Sequence, residues 1–262
     1  MDTRFELINR SSTYHDLLHD IETILSNEDL FYGHGTDNAM DESMAIIMHL
    51  LQSHDPLKED QLNASIQVGF LKKAKEILYQ RIVELKPLPY ITNEAYFCGK
   101  RFYVDERVLI PRSPIAELIN NRFEPWIKAS SLNRILEIGT GSGCIALSIA
   151  SIFSDTEVVA TDVSSDALDV AAMNAKAHDS DNQVKIIESD LFENVNGVFD
   201  LIITNPPYVP TEVMSDLPKE YLHEPDLALA AGDNGLDFIS RILHDCLLYT
   251  SDAADEGLGV DL

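Results

Sequence analysis

The stretch Arg134-Ile135-Leu136-Glu137-Ile138-Gly139-Thr140-Gly141-Ser142-Gly143-Cys144 decides the fold. Residues 134–138 read as a buried strand, and the apolar run from Cys144 to Ile152 reads as a helix. Three glycines at alternate positions join them. Glycine at such a turn allows positive φ and lets a ligand approach the backbone closely. A dinucleotide fingerprint, G-x-G-x-x-G, would place its third glycine at position 144, where Cys144 stands. The tighter G-x-G-x-G loop, with Glu137 two residues ahead of it, fits a nucleoside without a pyrophosphate. Taken alone, the loop also fits an ordinary strand-to-helix turn.

Working outward, further strands are expected at 157–161, 184–188 and 200–204, with a helix over 166–177 capped by Ser165. Strands alternating with helices at this spacing predict an α/β fold, a parallel sheet with helices on both faces. Asp162 ends the second strand, 19 residues after Gly143, where its carboxylate can accept from two ribose hydroxyls. It also reads as an exposed strand-end acid. Asp190, followed by Leu191, is placed to meet an adenine amino group or to cap a helix.

The last of these strands runs into Asn205-Pro206-Pro207-Tyr208. Two prolines fix φ and donate nothing, so the ladder stops there, and Asn205 is held extended by the proline after it. The Asn205 side-chain oxygen and the Pro206 carbonyl can accept both N–H bonds of a planar NH2 group, and the Tyr208 ring can cover its face. An ordinary turn after a strand is the alternative.

Residues 1–92 read as a small helical domain, expected to recognise substrate. Its stripes are Leu17, Leu18, Ile21, Ile24 and Leu25, then Met44, Ile47, Met48 and Leu51, then Phe70 through Leu85. The prolines of Lys86-Pro87-Leu88-Pro89 stop the last. Residues 93–112 read as a linking β-hairpin that turns near Gly99. Ser113 and Pro114 then start a helix through Ile115, Leu118 and Ile119.

The formal net charge is −25, which disfavours direct binding to DNA and suits a basic protein partner. Three scattered cysteines make neither a disulfide framework nor a metal quartet, and no metal is implied. No stretch is long and apolar enough to span a bilayer and no leader is visible, so the expectation is no membrane partner and a cytoplasmic location.

Together, Glu137-x-Gly139-x-Gly141-x-Gly143, Asp162 and Asn205-Pro206-Pro207-Tyr208 resemble class I methyltransferases that use S-adenosyl-L-methionine (SAM) on planar amino groups. Such enzymes have a Rossmann-like, mainly parallel sheet. The helical N-terminal part, the hairpin and Ile110-Pro111-Arg112-Ser113-Pro114 are similar to the HemK-like branch, which methylates glutamine side-chain amides in translation proteins. Within it, Tyr96-Phe97-Cys98-Gly99 and Arg112-Ser113-Pro114 look more like enzymes acting on a large-subunit ribosomal protein, L-three, than those acting on release factors. The resemblance implies cofactor contacts at Gly139, Thr140, Gly141, Ser142, Gly143, Asp162, Asp190, Leu191 and Asn205. It implies a catalytic grip at Asn205, Pro206, Pro207 and Tyr208, and substrate contacts at Asn205, Pro206, Tyr208 and Arg112. Alternatives are a release-factor enzyme, an adenine or cytosine amino-methyltransferase acting on nucleic acid, and an inactive SAM-binding fragment.

The methyltransferase part is expected over residues 113–245. The resemblance implies seven strands, and what should follow Asp245 is on the order of 50 residues by ordinary strand and loop lengths. Only 17 remain: Leu247-Leu248-Tyr249-Thr250 reads as one short strand and residues 251–262 are small and acidic, so the tail from Cys246 is expected to be foreign to the protein and the sheet incomplete.

Overall fold

The computed structural model describes residues 3–67, 69–128 and 131–246. The suspected tail, with a possible strand at Leu247–Thr250, therefore falls almost wholly outside the described residues. The chain forms two compact units, one of residues 1–93 with 218–223, the other of 94–217 with 224–262.

The first unit is helical. After a 3-10 turn at Thr3–Arg10 come α1 (Tyr14–Ser26), α2 (Ala39–Leu51), a single turn α3 (Glu59–Leu62), α4 (Phe70–Ile82) and α5 (Leu88–Thr92). Thr13 caps α1 by accepting from the Asp16 N–H, and the Asp16 carboxylate accepts in return from the Thr13 N–H. This is a capping box with aspartate in place of the usual longer acid. Asn38 caps α2: its side-chain oxygen accepts from the Asp41 N–H and its amide donates to the Asp41 carboxylate. Leu17, Ile21 and Leu25 of α1 pack with Ile46, Ile47 and Leu50 of α2 and with Ala74, Ile77 and Leu78 of α4.

Two sequence expectations shift here. The buried face of α2 runs through Ser43, Ile46, Ile47 and Leu50, while Met44 and Leu51 pack only partly. The helix is rolled by about one residue relative to its methionine stripe. That roll buries Glu42, whose carboxylate accepts from the Arg81 guanidinium inside the unit. The second shift is at α4, which ends at Ile82 instead of running to Leu85, and Leu85 takes a left-handed φ of 54°. Pro87 has no N–H to extend a helix, whereas Pro89 fits the first turn of α5, where no donor is needed.

The second unit opens with the expected hairpin, β1 (Ala95–Phe97) against β2 (Lys100–Phe102). Helix α6 (Ile115–Asn120) follows, with Pro114 at its N-cap position and the Ser113 hydroxyl accepting from the Ile115 N–H. Then come β3 (Arg134–Ile138), α7 (Cys144–Ile152), β4 (Glu157–Asp162), α8 (Ser165–Ala177), β5 (Val184–Glu188), β6 (Leu201–Thr204) and α9 (Asp237–Cys246). The α8 cap is Ser164 rather than Ser165, since its hydroxyl accepts from the Ala167 N–H.

The four strands pair in parallel in the order β5-β4-β3-β6. Alternation along each strand feeds two cores. Ile135, Val158, Ala160 and Ile203 face one layer with Ile145, Ile149 and Phe102. Leu136, Ile138 and Val159 face the other with Phe199, Phe192 and Ile242. This explains why β3 reads as an apolar run: it is central and covered on both sides. From β3 the chain builds outward to β4 and β5, then crosses back so that β6 lies on the other flank of β3. The carboxyl ends of β3 and β6 thus border a switch point, where open α/β sheets bind ligands. Among the described residues, no helix is long and apolar enough to cross a membrane.

Candidate active site

A cavity opens at the carboxyl ends of these strands. Gly139, Thr140, Gly141 and Ser142 line it after β3, Asp162 at the end of β4, Asp190 and Leu191 after β5, and Asn205, Pro206 and Pro207 after β6. Arg112 lines it as well. Gly143 and Tyr208 are not among the lining residues, although the sequence placed both in the site.

The glycine loop is shaped from within. Gly139 and Gly141 have φ of 72° and 54°, and a Cβ built on either would meet no atom within 4 Å. Only a missing side chain keeps that space open for a ligand. Gly143 differs: a Cβ there would sit 3.2 Å from Leu147 Cδ1 and 3.3 Å from Ala171 Cβ. Its role is close packing at the start of α7.

Asp162 Oδ2 accepts the Gly141 N–H at 2.9 Å and Oδ1 accepts the Ser164 N–H at 3.0 Å. Each oxygen keeps lone-pair capacity for a diol. Burial raises the Asp162 pKa, while the N–H bonds from Ser164 and Gly141 pull it back. Beneath the loop, Glu137 Oε2 accepts from the Thr140 hydroxyl at 2.6 Å and the Ala146 N–H at 2.9 Å. Its burial pushes the pKa up to about 8. Cys144 lies at the same place, but burial holds its thiol far above the usual range. A thiol so held is no nucleophile at neutral pH.

On the β5 side, Asp190 Oδ2 accepts from Arg241 Nη2 at 2.9 Å. Arg241 belongs to α9, and Phe238 and Ile242 of the same helix face the cavity. Sequence reasoning assigned none of these to the site. It also missed Asn174, whose carboxamide bonds the Tyr103 N–H, the Tyr103 carbonyl and the Ser142 carbonyl at 2.8, 2.9 and 2.9 Å.

At the β6 end, the Thr204 hydroxyl donates to the Ile138 carbonyl at 2.9 Å and ties the strand tips together. Asn205 follows directly. Tyr208 is 62% exposed, so its ring is presented to solvent rather than to the cavity. Arg112, expected to touch substrate, holds Glu224 in a two-pronged pair, Nη1 to Oε1 at 2.6 Å and Nη2 to Oε2 at 2.5 Å. The other arginine at the cavity, Arg107, bonds the Asp105 carboxylate through Nε and Nη2. Both guanidiniums are matched by carboxylates, and Asp190 is matched by Arg241, which leaves Asp162 as an acid at the cavity without an arginine partner. The open loop and this carboxylate fit a nucleoside with a ribose diol.

The family described as the methyltransferase small domain matches residues 122–232. The ribosomal protein uL3 glutamine methyltransferase of Francisella tularensis subsp. tularensis (strain SCHU S4 / Schu 4) is 38% identical over 249 residues, covering 94% of this chain and 79% of that protein. The proteins of the same description from Neisseria meningitidis serogroup B (strain ATCC BAA-335 / MC58) and Neisseria gonorrhoeae (strain ATCC 700825 / FA 1090) are 41% and 40% identical. Each covers 88% of this chain, and this chain covers 77% and 78% of them respectively. With the α/β fold, the glycine loop and Asn205-Pro206-Pro207 gathered at one cavity, likeness over this much of the sequence settles the family: the chain is a SAM-dependent methyltransferase and belongs to the ribosomal protein uL3 glutamine methyltransferases.

Proposed function

We propose that this chain methylates the side-chain amide nitrogen of a glutamine in ribosomal protein uL3. The observation that carries the reading is the meeting of sequence elements that lie far apart along the chain. The glycine loop with Asp162 and the stiff Asn205-Pro206-Pro207 turn line one cavity.

An amide nitrogen is a poor nucleophile because its lone pair is delocalised into the carbonyl. SAM, when bound, supplies a methyl group made electrophilic by its sulfonium. The protein must then align the nitrogen with that methyl and favour the lone pair. In this reading, Asp162 holds the ribose hydroxyls and the glycine loop receives the rest of the nucleoside and the methionine. Asp190, steadied by Arg241, is available to the adenine amino group. The Asn205 side-chain oxygen and the Pro206 carbonyl accept the two amide N–H bonds. Such acceptors stabilise the positive charge that grows on nitrogen as the new C–N bond forms and the old C–S bond breaks. The methylated nitrogen becomes acidic and releases its proton to water, so no dedicated base is required.

The charge of −25 favours encounter with a basic ribosomal protein. The second-order rate should fall steeply between low and physiological salt, and a salt-independent rate would contradict such steering. The deciding experiment is label transfer from methyl-labelled SAM to purified uL3, a release factor and duplex DNA in parallel. Label on a uL3 glutamine is the expected result. Label on the release factor or on DNA instead would overturn the substrate assignment.

A further inference from the structure

Glu224 is a buried acid that the chemistry above does not use. Its side chain is fully buried, and it accepts from the Ile110 N–H at 3.0 Å as well as from both Arg112 Nη atoms. A bidentate guanidinium pair fixes direction as well as distance. It therefore binds the cavity-lining stretch around Arg112 to the stretch that begins at Pro225, although they lie 112 residues apart.

The second stretch continues to the amide grip. The Val209 N–H donates to the Leu229 carbonyl, the Ala231 N–H to the Val209 carbonyl, and the Thr211 N–H to the Gly232 carbonyl, each at 2.9 Å. Val209 follows Tyr208 directly. The chain from Val209 to Thr211, which leads directly out of the turn, is thus backed by a short ladder, and the stretch that supplies its other side begins just after Glu224.

We propose that Glu224 and Arg112 are positioning residues, which register the Asn205-Pro206-Pro207 turn against the cofactor loop. This rests on the methyltransferase reading of the cavity. Neither residue needs to touch the reacting atoms. Their loss would loosen the alignment of nitrogen and methyl while leaving the glycine loop and Asp162 intact. Small misplacements of reacting groups are costly, so the effect should fall on turnover rather than on cofactor affinity.

The test compares wild type, Glu224→Gln, Arg112→Lys and the double variant in kcat, KM, cofactor affinity by calorimetry and amide hydrogen exchange over residues 206–213. Each single variant should lose about tenfold or more in kcat per folded molecule and keep cofactor Kd within about threefold. Exchange at Val209 should quicken in both. Because both act through one pair, the double variant should be about as impaired as the worse single one. Multiplicative losses, or unchanged kcat in folded protein, would overturn the proposal. Should Glu224→Gln fail to fold, Arg112→Lys, at a partly exposed side chain, gives the same readouts. If wild type transfers no methyl to uL3, the substrate assignment fails, and unchanged exchange at Val209 would then reject the positioning role on its own.

Discussion

Replacing Arg81 by methionine should destabilise the helical unit by about 4 kcal/mol at pH 7.5, within the range for breaking a buried ion pair from one side. Arg81 is 1% exposed. Its Nε donates to Glu42, its Nη1 to Glu220 at 3.2 Å and its Nη2 to the Phe31 carbonyl at 2.9 Å. Methionine keeps much of the stem and loses every donor, so two buried carboxylates face each other with no cation between them. The sign with pH follows from Glu42. Burial already raises its pKa against the pull of Arg81, and the charge of Glu220 raises it further. Without Arg81 the folded value climbs again. The stability that a raised carboxylate contributes is present below its unfolded pKa and is lost as pH rises through the folded one. The penalty should therefore be smaller at pH 5.5 than at pH 7.5. Urea unfolding of the full chain at both values measures it. Adding Glu42→Gln and Glu220→Gln should recover most of the loss, because an uncharged cluster has no unpaired ion. A penalty below about 1 kcal/mol at pH 7.5, or one that ignores pH, would refute the reasoning.

Asn205→Ala should cost roughly 3 kcal/mol of transition-state stabilisation in kcat/KM, whereas Tyr208→Phe keeps its ring and should stay within a few-fold. Turnover of Asn205→Ala near wild type would end the amide-grip model. Glu137 has a folded pKa raised to about 8, so wild type should lose stability as pH rises from about 4.5 through 8. Glu137→Gln should lose less over that window, with a gain relative to wild type of up to about 5 kcal/mol at the alkaline end, and thermal unfolding across pH tests it. Gly141→Ala has room for its methyl but not for its φ of 54°, so stability should fall by about 1 kcal/mol. Because that methyl enters the cofactor space, calorimetry should show SAM affinity falling further than the stability change explains.

What the sequence made legible was local. The glycine loop, Asp162 and the proline-stopped strand each announce themselves within a few residues, through φ requirements and missing donors. The four parallel strands were legible because β3 is buried on both faces and its neighbours repeat at crossover spacing. Side-chain partners across long separations were not. Nothing near Glu42 signals that Arg81 will meet it, so the methionine stripe of α2 read as its inner face. Nothing near Arg112 signals that Glu224, 112 residues downstream, will meet it. Phe238 and Ile242 carry no mark in the sequence that one face of α9 would border a cavity. The move of the α8 cap from Ser165 to Ser164 is the one-residue slip that two adjacent serines invite.

Residues 218–223 belong to the helical unit although the chain on either side of them belongs to the other. Glu220 is seated there on the Phe31 N–H and on Arg81. The backbone therefore passes between the units three times, and no single cut separates them. A fragment beginning at residue 94 would carry Glu220 without its seat, and a fragment ending at residue 93 would leave Arg81 short of an acid. Moving this helical unit as a folded piece would require transplanting the hexapeptide along with it.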